Sequence, residues 1–313
     1  MLHLQLRVPS HLTDEVVRLL DGDDTVTNVA VVPGGFTKPA GCLVIADVAR
    51  EGANPVVAAL RRLDLHHIGS IMLSEPEAIL SDAAERAEQA APGDPDDSVV
   101  WDLVENRVRR DSTLTWVYVA FLTLATLIAG AGRLLDQPIL IIGAMVVGPE
   151  FSPVAAICLG LARPRPQILP RALGTLVAGF VIAVAIAAPL WVLAHAIGQA
   201  TRAEALHGPQ TDFIVQPDLW SFMIALLAGV AGVLALTTAK SGPLVGVFIS
   251  VTTVPAVGTL ALCVGLGIWS EIPPALAQLG INIAGLVISG TLTLLVMRVV
   301  WSRIQQPLGG FRR

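Results

Sequence analysis

Glu150 stands in the run IIGAMVVGPEFSPVAA, behind Gly148 and between Pro149 and Pro153, about halfway along an apolar stretch of bilayer length. On insertion scales a charged side chain at that depth costs about 2.5–3.5 kcal/mol. The residue is therefore a candidate proton carrier, cation ligand or partner of a basic group. Its prolines matter equally, because proline removes a backbone donor and crowds the preceding turn. Backbone groups freed in this way must be covered by protein or line a cavity. A second run, GVFISVTTVPAVG, is interrupted alike, with Ser250, Thr252, Thr253 and Pro255 at its midpoint. Together with Ser152 and the apolar-segment amide Asn282, these residues form the candidate substrate or ion path. The competing reading is a pair of ordinary proline kinks, with Glu150 in a structural task only.

Other chemistry is sparse. His66-His67 ends a short helix without the i, i+4 spacing of a metal helix or an evident acidic partner. His195 and His207 share an outer connection with Asp212 and Asp218, and Arg133 and Asp136 are read as pairing with each other at an outer turn. Lys240 reads as an interfacial anchor. Cys42, Cys158 and Cys263 follow no metal or disulfide spacing and read as small apolar fillers. No G-x-S-x-G, Walker A or H-E-x-x-H motif occurs, and Ser152 beside Glu150 is a weak nucleophile candidate without a membrane histidine. No enzyme activity, cofactor or metal is expected.

The elements that must position Glu150 follow from composition. Hydrophobic residues make up 54% of the 313 and charged residues 14%, and mean hydropathy is +0.70. A membrane protein is the default. Residues 1–112 hold 10 Lys/Arg and 19 Asp/Glu, whereas residues 113–313 hold 10 and 6. An acidic soluble head thus precedes a mildly basic apolar part, which argues against a nucleic-acid partner. The opening MLHLQLRVPS has no basic region followed by a long apolar run, so no signal peptide is expected.

Six apolar stretches of span length are read: Leu114–Gly132, Pro138–Ala162, Ala172–Ala194, Leu219–Ala239, Pro243–Ser270 and Pro274–Met297. Tryptophans 116, 191, 220, 269 and 301 sit near their ends, as an interfacial belt would place them. With the first residues inside, eleven Lys/Arg flank the spans on the cytoplasmic side and two, Arg133 and Arg202, on the outer side. The positive-inside rule then puts both termini in the cytoplasm and the protein in the cytoplasmic (inner) membrane. Trp116 and Trp220 are 104 residues apart, Pro138 and Pro243 are 105 apart, and Cys158-Leu-Gly-Leu matches Cys263-Val-Gly-Leu at 105. Two sets of three spans make an inverted 3+3 repeat, in which broken helices mark the site near the midplane. Broken helices need protein cover, so a homo-oligomer (dimer or trimer) is expected, packed through Gly174, Ala178, Gly229 and Gly232.

The head, residues 1–75, reads as β-α-β-β-α-β, the ferredoxin-like pattern. Strands are expected at 2–8, 25–32, 42–48 and 68–73, with Pro33-Gly34-Gly35 stopping the second, and helices at 10–20 and 54–65. A linker region, 76–112, carries the stripe Val100, Leu103, Val104 and Val108. It suits either an amphipathic helix on the membrane surface or one packed on the head. The membrane domain is residues 113–303.

GAMVVGPEFSPVAAICLGLA and LVGVFISVTTVPAVG resemble the two signature segments of the DUF389 family over roughly residues 100–300. The family's usual forms are a Ser-Pro-x-x-Gly-Pro core and a later Val-Pro-Pro. Here Gly148 stands where Ser is common, Glu150 where an apolar residue is common, and Ala256 for the second proline. The resemblance implies a multispan bacterial membrane protein with no settled activity. The leading expectation is a transporter or channel for a small polar or ionic solute. The alternative is a membrane-anchored sensor or scaffold whose head binds a ligand or partner.

Overall fold

The computed structural model describes residues 1–76, 78–91, 93, 98–163, 167–212, 218–238 and 253–304, the last four as backbone only. Two compact units result, Met1–Val104 with the chain from Val299 onward, and Glu105–Arg298.

In the head, β1 (Leu2–Val8), α1 (Thr13–Asp21), β2 (Val26–Thr37), β3 (Ala40–Val48), α2 (Ala53–Arg62), α3 (Leu65–Ile68) and β4 (Ser70–Ser74) follow one another. The sheet has the order β2-β3-β1-β4, and every neighbouring pair is antiparallel. Alternation in β1 puts Leu2, Leu4, Leu6 and Val8 in one fully buried row with Val44, Ala46 and Val48, against Val16, Leu20, Val56 and Leu60 of the helices. Each such large side chain is worth about 2 kcal/mol relative to exposure.

Three local expectations shift. Pro33-Gly34-Gly35 does not stop β2. The strand runs on to Thr37 with a register shift between Val32 and Phe36, and a proline is tolerated because β2 is an edge strand. Neither Ser10 nor Thr13 caps α1, which is entered from a 3-10 turn at Ser10–Leu12. The second helix stops at Arg62, because Asp64 takes a left-handed conformation (φ 59°) and α3 starts after it.

Beyond the sheet come α4 (Asp82–Ala90) and α5 (Trp101–Asp111). Val100 and Leu103 pack into the head core. Asn54 Nδ2 donates to the Val99 carbonyl at 2.7 Å, and Arg61 pairs with Asp102 at 2.6 Å. The beginning of the linker stripe therefore belongs to the head.

The second unit contains α6 (Trp116–Leu134), α7 (Pro138–Val147), α8 (Phe151–Ala162), α9 (Ile168–Ala196), α10 (Arg202–Leu206), α11 (Leu219–Thr237), α12 (Thr253–Leu266) and, as far as Arg298, α13 (Ile272–Ile304). Among the described residues α6, α9, α11 and α13 are long and apolar enough to cross a membrane, and α7 with α8, bent by 55°, makes a fifth if taken as one span. This is fewer than the six expected. The described part of the fifth stretch, α12, has 14 residues, too few to cross alone, and residues 239–252, with Lys240 and Pro243, lie outside the described residues. Lipid-type side chains such as Phe121, Leu173, Val181 and Leu227 are exposed on these helices, as a bundle apolar on all sides requires.

Trp116, Trp220 and Trp269 are largely exposed, but Trp191 is buried, packed with Ala261, Leu262 and Leu266. It is a core residue and not part of an interfacial belt. Gly229 and Gly232 are also inside the subunit: a Cβ on Gly229 would strike Ser289 and Leu286. They cannot line an interface between copies, whereas Gly174 faces open space.

Candidate functional site

The break in span two has a simple local cause. Gly148 precedes a proline, which disfavours the helical region for it, and its backbone is extended (φ −69°, ψ 129°), ending α7. Pro153 then falls at the third position of α8, where no intrahelical partner for an N–H exists anyway. Proline alone does not break these helices, since Pro189 sits inside an uninterrupted α9. Pro255 lies in the first described turn of α12.

The start of α8 meets the first described residues of α12. Glu150, the residue before α8, is 4% exposed, and Thr253, the first of α12, is 1% exposed. The Thr253 hydroxyl donates to Glu150 Oε1 at 2.9 Å, while Oε2 is buried without a hydrogen-bond partner among the described residues. A Cβ on Gly148 would collide with Glu150 Oε2 and with Val254 Cγ2. Glycine is needed there for close approach, not for its backbone angles. Helix N-termini carry partial positive charge, so α8 favours a negative group at Glu150, the residue before it.

The walls come from close packing. On α12, a Cβ at Gly258 would lie 2.5 Å from Ala129 Cβ and 2.9 Å from the Thr126 carbonyl, and one at Gly265 would lie 2.5 Å from Trp191 Cβ. The half-helix is thus seated against α6 and α9. In turn α8 reaches α13, where Cys158 Sγ donates to the carbonyls of Leu286 and Val287 at 3.8 Å. All three cysteines are free and buried.

Of the sequence-derived candidates, Gly148, Pro149, Glu150, Thr253 and Pro255 are brought to this junction, with Ser152 and Pro153 in the first turn of α8. Asn282 is buried in α13, but Thr253, and not this amide, supplies Glu150's hydrogen bond. Ser250 and Thr252 lie outside the described residues. Tyr118 was missed. It is the chain's single tyrosine, buried in α6 within electrostatic range of Glu150, and its hydroxyl has no partner among the described residues. The signal available was a lone phenol inside an apolar span.

At the far end of α6 a different cluster forms. Arg133 does not pair with Asp136. Its guanidinium reaches Asp212 at 2.8 Å, Thr211 Oγ1 at 2.9 Å and the Gly208 carbonyl at 3.3 Å. Asp136 instead accepts from Thr211 Oγ1 at 3.0 Å and from the Gln210 backbone at 3.1 Å. Thr211 links the two charges, and the loop is clasped to the bundle. The histidines of the outer connection do not converge: His195 and His207 turn Nδ1 to the carbonyls of Ala200 and Ala203.

These residues define a helical membrane protein with a small antiparallel α/β head. Residues 145–288 match the family model described as Domain of unknown function (DUF389). The match holds both break-forming segments almost whole, but starts well after the residue 100 read from sequence resemblance. The chain is 28% identical over 168 residues to "Uncharacterized protein MJ0678" of Methanocaldococcus jannaschii, covering 54% of this chain and 50% of that protein. It thus spans about half the length of that relative, whose archaeal source shows that such proteins are not confined to bacteria. No solved structure matches the chain.

Proposed function

We propose that the protein is a cytoplasmic-membrane transporter or channel for a small polar or ionic solute, with its path at the junction of the two half-helices. One observation carries this reading: among the described residues, a buried carboxylate at a helix break holds a single hydrogen bond, from Thr253 of another interrupted span. A carboxyl kept only for structure would be expected to have both oxygens paired, because an unpaired buried acceptor costs about 1–3 kcal/mol. Thr123, Thr259 and Tyr118 add buried hydroxyls without partners among the described residues of α6 and α12. A passing solute or water could pair with such groups. No catalytic role is assigned.

The finer architecture belongs to the same proposal. The β-α-β-β-α-β order with strands β2-β3-β1-β4 supports a ferredoxin-like head. Pro153 in α8 and Pro255 in α12, one in each interrupted span, support an inverted repeat of six spans. The count of basic flanks supports cytoplasmic termini. Homo-oligomerisation would use the open face of α9 at Gly174.

The test is Glu150→Gln in reconstituted vesicles. Glutamine keeps size and hydrogen bonding but cannot take up or release a proton. Expression and folding should survive, and pH-dependent ion or solute flux should be lost. Unchanged flux with an unchanged pH profile would reject this residue's role in transport.

A further inference from the structure

We infer that Asp64, His66 and His67 form a binding site on the head for a late first-row divalent metal ion of the zinc class. One donor atom from each lies within 4.8 Å of the other two, and among the described residues no other group of three His, Cys, Asp or Glu does so. The inference does not rest on the transport reading.

The arrangement follows from the turn between α2 and α3. Asp64 is left-handed (φ 59°, ψ 16°), and its carbonyl accepts from the backbone N–H of His67 at 3.0 Å and of Ile68 at 3.2 Å. That tight turn brings the Asp64 side chain round to the two imidazoles, whose centroids are 4.0 Å apart. The acidic partner not evident from helical spacing is thus supplied by a left-handed residue two positions earlier.

Among the described residues the carboxylate has no other use. Ser81, Thr115, Thr201 and Asp218, at the same position before their own helices, each accept from the third residue onward. Asp64 makes no such cap bond. Neither His66 nor His67 has a hydrogen bond to its ring among the described residues, and all three side chains are exposed.

The backbone beneath them is fixed. Leu65 is fully buried in the head core. A Cβ on Gly69 would overlap the Arg7 carbonyl and Leu65. Exposed side chains on a held backbone can close from 4.8 Å to the roughly 3.3 Å ligand separation that a tetrahedral ion with 2.0–2.1 Å bonds needs. Two neutral imidazoles and one carboxylate select zinc, nickel, cobalt or copper over magnesium or calcium, with water completing the coordination.

The test uses the full-length protein in detergent, titrated with Zn2+ by calorimetry and with Co2+ by visible absorption. One equivalent should bind, unaffected by excess Mg2+. The exposed double variant His66→Asn/His67→Asn should weaken binding at least about tenfold, whereas His195→Asn/His207→Asn should leave it unchanged. On the unaltered protein, Zn2+ should protect His66 and His67 from acylation by diethyl pyrocarbonate, mapped by peptide mass spectrometry. Absence of saturable binding, unchanged affinity in the first variant, or lack of protection at these two residues would overturn the site.

Discussion

Arg133 and Glu150 are both charged, both in the apolar unit and both nearly sealed, at 3% and 4% exposure. Arg133 commits its two terminal nitrogens to a carboxylate, a hydroxyl and a carbonyl, all contributed by residues 208–212. Glu150 has one hydroxyl donor, from Thr253, and a second oxygen without a partner among the described residues. Arg133 also leaves its buried Nε without a partner among the described residues, but its charge is met by the Asp212 carboxylate, and a charge paired in this way holds structure, because removing one member strands the other. A buried carboxyl met among the described residues by a hydroxyl and by no cation is held at a cost, and such groups in membranes mark pathways. The first arrangement is a clasp and the second a site.

The largest effect should come from breaking the clasp. Arg133→Ala removes three hydrogen bonds and leaves Asp212 without its partner, so thermal unfolding in detergent should show a loss of about 3 kcal/mol. Arg133→Lys, which restores the charge without the planar fork, should recover less than half of it. A silent Arg133→Ala would remove the distinction between clasp and site.

At the other centre, Gly148→Ala places a methyl against the Glu150 carboxylate and Val254. The expected cost is about 1–3 kcal/mol from overpacking, with flux reduced because the carboxylate must move. Gly143→Ala, five residues earlier on α7, meets nothing within 4 Å, and should be neutral or stabilising by up to about 1 kcal/mol. Equal effects at the two glycines would show that helix propensity, and not the fit around Glu150, governs this region.

A third, smaller test uses a carboxylate that is paired but exposed. Asp218 caps α11, accepting from Ser221 N at 2.6 Å and Ser221 Oγ at 2.7 Å. The Ser221 hydroxyl, then its backbone N–H, hold the Asp218 carboxyl below its usual range. Its contribution is therefore present above the unfolded value of about 3.9 and lost as pH falls through the lower folded value. Acidification to about pH 3 should begin to fray the start of α11, measured by amide exchange. Asp218→Asn, a good cap without a titrating proton, should remove that pH dependence.

The alternation Leu2-His3-Leu4-Gln5-Leu6-Arg7-Val8 predicted β1 residue for residue, because period two needs only one buried face. Five of the six apolar stretches, the second of them bent, fall on helices long enough to cross, and for the same kind of reason, since length and apolarity are additive along the chain. The end of β2 was misread because proline and glycine signal a stop only where the ladder cannot absorb them, and an edge strand can. Trp191 was misread because hydropathy places a residue in depth along a span but not around it.

What the sequence determined by itself was the break and its carboxylate. Gly148-Pro149 dictates extended backbone by local sterics, and Glu150 follows as a matter of chain order. What only the tertiary structure decided was each partner. Thr253 stands 103 residues from Glu150, and Thr211 and Asp212 stand 78 and 79 from Arg133. Asp64 joins the histidines through a left-handed backbone angle that helical spacing would not predict. Local sterics act between neighbours and can be read in order. Pairing across a bundle depends on which faces pack, and packing is settled by all the helices together.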